Sequence, residues 1–113
     1  MRRLLVLWIC GIVLAASLPG TTAAAAETLM EKAELWGQMH GHSIHCRMSN
    51  SHEFGLRVVR YLRRHSSGET FEKIRDAYGL NILETAREAP PRSMGGDCGG
   101  FRVKFAEVFE ELG

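Results

Sequence analysis

The first 26 residues restrict what this chain folds into more than any other feature of the sequence. A basic start at Arg2-Arg3 precedes an apolar run over 4–18 and a stretch of small residues that ends at Ala26. This order of segments is typical of a cleaved secretory signal peptide. The apolar run covers about 15 residues, whereas a membrane span needs about 20. We therefore predict a signal peptide over 1–26, an exported domain over 27–113, and no permanent membrane anchor after cleavage.

Signal-peptide cleavage would leave the domain with two of the chain's three cysteines. Cys10 lies inside the predicted signal peptide, so Cys46 and Cys98 remain. An even pair in an oxidising compartment predicts one disulfide. The ring would contain about 53 residues, for which the chain-entropy treatment gives roughly 4 kcal/mol of stabilisation. A domain of 87 residues has a core that stabilises it only modestly. We therefore expect the reduced protein to be marginally stable or unfolded.

The balance of charge predicts that nucleic acid is not a partner. The chain has 14 basic and 13 acidic side chains, and removal of Arg2 and Arg3 leaves 12 and 13, a net charge of −1 with neutral histidines. A nucleic-acid-binding domain would instead carry a clear basic excess. All five histidines lie beyond the signal peptide, so protonation would make the domain positive around pH 5.

Four segments of the exported domain show the three- and four-residue apolar spacing of amphipathic helices, and none shows sustained strand alternation. The first helix begins near Thr28, and its continuation past Gly37 and Gly41 is left open. The others are expected to follow Ser49-Asn50-Ser51, to begin near Thr70, and to start at Phe101. A glycine-rich segment over 92–100 is predicted to be a loop. The fold class is therefore all-α, a small four-helix bundle-like domain tied by one disulfide.

Histidines are concentrated between residues 40 and 52. Imidazole is a ligand for copper and zinc, so this segment predicts a copper or zinc site. Its proposed ligands are His40, His42, His45 and His52. One alternative is a polar turn between the first two helices that carries solvated histidines. The other is a protonation switch.

Arginines form a basic edge on the second predicted helix. Arg57, Arg60 and Arg64 follow one another at i, i+3 and i+7, which places them on one side of the helix. Such an edge suits an anionic partner. The alternative is a solvated face that acidic residues of the neighbouring helices balance.

The sequence predicts a binding protein and not an enzyme. It contains no nucleophile elbow, phosphate-binding glycine loop, zinc-protease motif or dinucleotide fingerprint. Cys98 within its glycine-rich segment also fits a nucleophile loop, but a second cysteine in an exported chain favours a structural bridge. No resident cofactor is expected apart from the copper or zinc considered above. The expected partner is a protein.

The layout of the exported domain resembles that of the small acid-stress chaperones of the bacterial periplasm. The features in common are a helical chain of under 90 residues, a cysteine near the first helix and another just before the last. The resemblance implies a periplasmic or secreted stress protein. The five histidines and the modest core would let such a protein loosen in acid and expose apolar surface to other proteins. Two alternatives stay open: a periplasmic metal-binding protein that uses residues 40–52, and an inhibitor or immunity protein for a secreted toxin.

Overall fold

The computed structural model describes residues 22–113. They form four α-helices, which are α1 (Ala23–His45), α2 (Ser51–His65), α3 (Gly68–Thr85) and α4 (Cys98–Leu112). A short 3-10 helix, Arg92–Met94, precedes α4. No strand occurs among residues 22–113. The prediction of an all-α, four-helix fold is confirmed for this part of the chain.

Most of the predicted signal peptide, residues 1–21, lies outside the described residues. Of its final residues, Thr22 caps α1 by accepting a hydrogen bond from the Ala25 amide, and 23–26 form the first turn. Cleavage before Glu27 therefore stays a prediction. None of the helices formed by residues 22–113 has the length and hydropathy that a bilayer crossing requires.

Helix α1 runs unbroken through the two glycines at which the sequence left its continuation open. Gly37 and Gly41 are buried where α1 crosses α3. A Cβ atom at Gly41 would overlap Thr85 Oγ1 and lie 2.8 Å from the carbonyl oxygen of Ile82. The two backbones are therefore in contact, and this close packing offsets the intrinsic cost of glycine inside a helix, about 1 kcal/mol each.

Polar side chains fix the register of the same crossing. The Thr85 hydroxyl lies 3.2 Å from the carbonyl oxygen of Gln38 on α1 and 2.8 Å from that of Asn81 on its own helix. The Gln38 side-chain amide donates to Asn81 Oδ1 at 3.3 Å. These bonds satisfy polar groups that the close approach of the helices removes from water. α1 and α3 consequently pack in one defined register.

The core is closed by aromatic residues from α2 and α4. Phe54 and Phe105 are completely buried, with ring centroids 4.6 Å apart, and Phe101 packs beside Phe105. Most positions that the helical spacing assigns to the core are buried, namely Trp36, Phe54, Val58, Leu62, Phe71, Ile74, Tyr78 and Phe105. Phe109 is only partly buried.

The disulfide joins Cys46 to Cys98 as predicted, with their Cα atoms 5.6 Å apart. It connects the C-cap of α1 to the first residue of α4. The prediction of a loop over 92–100 is wrong at its end, because α4 already begins at Cys98. Asp97 starts the helix by accepting a hydrogen bond from the Gly100 amide at 2.7 Å. Gly95, with φ of 107°, makes the left-handed turn just before it.

Replacement of Gly41 by Ala tests the role of the α1–α3 crossing. The added methyl group has no space, so we expect Gly41→Ala to lower the free energy of unfolding by about 1–3 kcal/mol. Gly79→Ala is the matched control, because a Cβ atom there meets nothing within 4 Å. In the middle of α3 that change should raise stability by about 0.5–1 kcal/mol. Urea denaturation measures both, and equal effects of the two substitutions would contradict the crossing.

Candidate functional site

An open groove with a volume of about 420 Å³ lies where α1, α2 and α3 meet. Its walls are largely apolar. They include His40 and Ile44 of α1, Tyr78 of α3, and a face of α2 with His52, Leu56 and Val59. We call this feature the His40 groove. It is a concave, mainly apolar surface with a few polar groups, which is the usual character of a ligand site.

His40 is the half-buried residue at which the three helices meet. Its Nδ1 atom lies 2.6 Å from the Tyr78 hydroxyl, and its ring meets the edge of Phe54 at a centroid distance of 5.9 Å. Gly55 of α2 passes so close that a Cβ atom there would lie 2.8 Å from His40 Cε1. The imidazole is thus held by contacts from both neighbouring helices, and a change in its charge acts on all three.

The environment of the groove keeps its central polar pair uncharged at neutral pH. Burial lowers the pKa of His40 below 6.5, and the nearby His52 lowers it further because two positive imidazoles repel each other. Burial also raises the pKa of the Tyr78 hydroxyl well above its usual value. The hydrogen bond between His40 and Tyr78 therefore joins two neutral groups.

The four histidines proposed as metal ligands do not converge. His40 and His52 share the groove, but His42 is only 3% exposed and its Nδ1 lies 2.8 Å from the carbonyl oxygen of Glu88, after α3. His45 is exposed at the end of α1. No set of three or more His, Cys, Asp or Glu side chains within residues 22–113 is arranged to hold a metal ion. A copper or zinc site made from these residues stays a prediction.

The alternative of a polar turn with solvated histidines is wrong for His40 and His42. Both lie within α1, because the helix continues through Gly41 to His45. The turn before α2 covers residues 46–50 and includes Arg47, which has φ of 54°.

The predicted basic edge divides into one engaged arginine and two exposed ones. Arg57 donates a hydrogen bond at 2.8 Å to the carbonyl oxygen of Phe109, and its guanidinium lies 4.0 Å from the centroid of the Phe109 ring. It also pairs with Glu53 at 3.5 Å. Arg57 therefore caps the C-terminal turn of α4. Arg60 and Arg64 are exposed, and an anionic partner for this edge stays a prediction.

Two residues that shape the groove were not among the predicted site residues. Tyr78 is buried in the core, and its hydroxyl also holds His40. Leu56 lies on α2 with 47% of its surface exposed. The one sequence signal for such a position is an apolar residue outside the buried stripe of an amphipathic helix.

A comparison with models of protein families, with curated proteins and with solved structures finds no match to this chain.

Acid should destabilise the fold through His40. Its pKa is lower in the folded state, so in the interval below about pH 6.5 the unfolded chain binds a proton that the folded chain does not. The contribution of neutral His40 to the free energy of unfolding is complete above about pH 6.5. It is lost as the pH falls from there towards the lowered pKa of His40. We expect His40→Asn, which keeps a polar group near the Nδ1 position, to flatten this part of the stability curve.

Urea denaturation at a series of pH values measures the effect of His40→Asn. His45→Asn is the control, because it removes an exposed histidine of the same helix. An unchanged slope in His40→Asn, or equal flattening in the control, would show that His40 does not cause the acid sensitivity.

Proposed function

We propose that the chain is an exported binding protein that holds an apolar ligand in the His40 groove. The observation that carries this proposal is the pair of half-exposed apolar side chains beside the groove, Ile44 at 44% and Leu56 at 47%. Leaving such groups in water has a free-energy cost that an apolar ligand would remove. Apolar surface around a concavity is typical of a binding site.

Two features support export. The N-terminal segment has the pattern of a signal peptide. The Cys46–Cys98 disulfide is of the kind that persists in the periplasm or outside the cell. We therefore propose that the ligand is met in the periplasm or in the extracellular medium.

The hydroxyl groups around the groove favour binding over catalysis. Ser51 Oγ lies 2.7 Å from Ser43 Oγ and donates to the carbonyl oxygen of Met48 at 3.1 Å. The imidazole of His40 is directed to the phenol of Tyr78 and to neither serine. An activated nucleophile needs a base within hydrogen-bond reach, and these two serines are instead used to hold the start of α2 against α1.

Substitution of Leu56 tests the proposed function. The neutral dye N-phenyl-1-naphthylamine fluoresces in apolar sites and serves as the probe. We expect the protein to bind it, and Leu56→Ser to weaken binding about five- to tenfold because an apolar wall of the groove is lost. Leu83→Ser is the matched control, since Leu83 is 77% exposed on α3 and does not line the groove. Equal weakening in both variants, or no dye binding, would refute the proposal.

His40 supports a second candidate function, that of an acid-stress protein whose partners are other polypeptides. Protonation of His40 would place a positive charge between Phe54, Gly55 and Tyr78, which its environment disfavours. We propose that α2 then loosens from α1 and α3, while the disulfide keeps α1 and α4 joined. The apolar side chains of α2, Phe54 among them, would become accessible to unfolded proteins.

Circular dichroism with a hydrophobic dye, recorded from neutral to strongly acidic pH, tests this second function. We expect helix content to persist while dye fluorescence rises in acid, and the protein to suppress aggregation of an acid-denatured client in light scattering. His40→Asn should shift the rise in dye fluorescence to lower pH, whereas His45→Asn should leave it unchanged. A cooperative, dye-silent fold in strong acid would exclude this function and leave the groove proposal in place.

A further inference from the structure

Two arginines lie about one helical turn beyond residues that line the His40 groove. Arg63 follows Val59 by one turn of α2, and Arg75 precedes Tyr78 by three residues of α3, so each shares a face with a groove residue. A connection of two residues joins α2 to α3. The guanidinium carbons of Arg63 and Arg75 lie 5.2 Å and 5.5 Å from the centroid of the same ring, that of Phe71.

Among residues 22–113, one carboxylate lies within 4.0 Å of this pair of guanidinium groups, that of Asp76. The ion pairs among residues 22–113 are Glu53–Arg57 and Arg75–Asp76, so Arg63 has none. Arg75 and Asp76 are sequence neighbours 3.4 Å apart, and both side chains are largely exposed. Such surface pairs contribute little. Two positive charges from different helices therefore lie near one aromatic ring, each about one helical turn beyond a residue of the groove.

We infer that the ligand of the His40 groove is a single-chain fatty carboxylate. Its carboxylate would lie between Arg63 and Arg75, where planar guanidinium groups offer paired, charge-assisted hydrogen bonds. Its hydrocarbon chain would pass over Val59 and Leu56 towards His52. His52 and Arg63 are 11 positions apart on α2, about 16 Å along the helix. The inference rests on the proposed function, because it names the ligand class of the same groove.

A comparison of three ligands with one alkyl chain length tests the headgroup. Laurate, dodecyl maltoside and dodecyltrimethylammonium are titrated below their micelle concentrations into oxidised protein purified from cells that express the full chain. We expect laurate to bind at least tenfold more tightly than the other two, with an affinity that falls as salt rises. Equal affinity for laurate and the maltoside would overturn the carboxylate assignment.

A double variant identifies the cations. Arg63→Gln with Arg75→Gln should weaken laurate binding about tenfold or more and leave dodecyl maltoside unaffected. Arg60→Gln with Arg64→Gln removes the same charge from exposed positions of α2 and should change laurate binding less than twofold. An equal loss of laurate affinity in the two double variants would show that only net charge matters, and would overturn the assignment. Circular dichroism melts of both double variants check that the fold persists.

The orientation of the ligand provides an independent measurement. Stearate that carries a nitroxide near its carboxylate should broaden the amide signal of Phe71, and stearate labelled near its methyl end should broaden those of His52 and Ile44. The reverse pattern, or uniform broadening, would overturn the proposed placement. If the neutral dye binds and laurate binds no more tightly than dodecyl maltoside, the assigned ligand class is wrong and the proposed groove function stands. If neither binds in the groove, the proposed function fails as well.

Discussion

The close crossing of α1 and α3 at Gly37 and Gly41 is the constraint on which the rest of the structure depends. Because no side chain separates the helices there, α1 stays helical to His45 and lies against the whole second half of α3. That contact fixes His40 opposite Tyr78. It also places Cys46, the residue that follows α1, where it can meet Cys98. Both the disulfide and the candidate site therefore inherit their geometry from one backbone contact.

The other two helices are attached to this pair by different means. α4 is joined to the end of α1 by the disulfide, and Arg102 donates a hydrogen bond to the Cys46 carbonyl oxygen at 3.2 Å. α2 rests on apolar packing of Phe54, on its close approach to His40, and on the contact of Arg57 with the last turn of α4. The attachment of α2 contains a titratable group at its centre. Protonation of His40 would act on the packing of α2 against α1 and on the hydrogen bond from α1 to Tyr78 of α3.

This difference in attachment links the two candidate functions of the groove. A groove between α2 and the α1–α3 pair can take a ligand while the protein is folded, and α2 is the helix that we propose acid loosens. Ligand binding would stabilise the folded form by mass action, since the unfolded chain has no groove. Binding and acid response would then oppose each other, and the saturated protein would loosen at a lower pH than the empty one.

The sequence by itself determined the helical class, the approximate positions of four helices and the cysteine pair. Each of these follows from the local spacing of apolar residues or from the number of cysteines. None of them requires knowing which helices are in contact. The sequence left the continuation of α1 open at Gly37 and Gly41, because glycine within one helix indicates weakness unless a neighbouring backbone occupies the missing side chain's space. Only the tertiary structure decided that contact. It also separated His42 from His40, and it placed the Arg57 guanidinium against the last turn of α4. Arg63 and Arg75 contact the same Phe71 ring for the same reason, since all these contacts depend on which faces of the helices pack together.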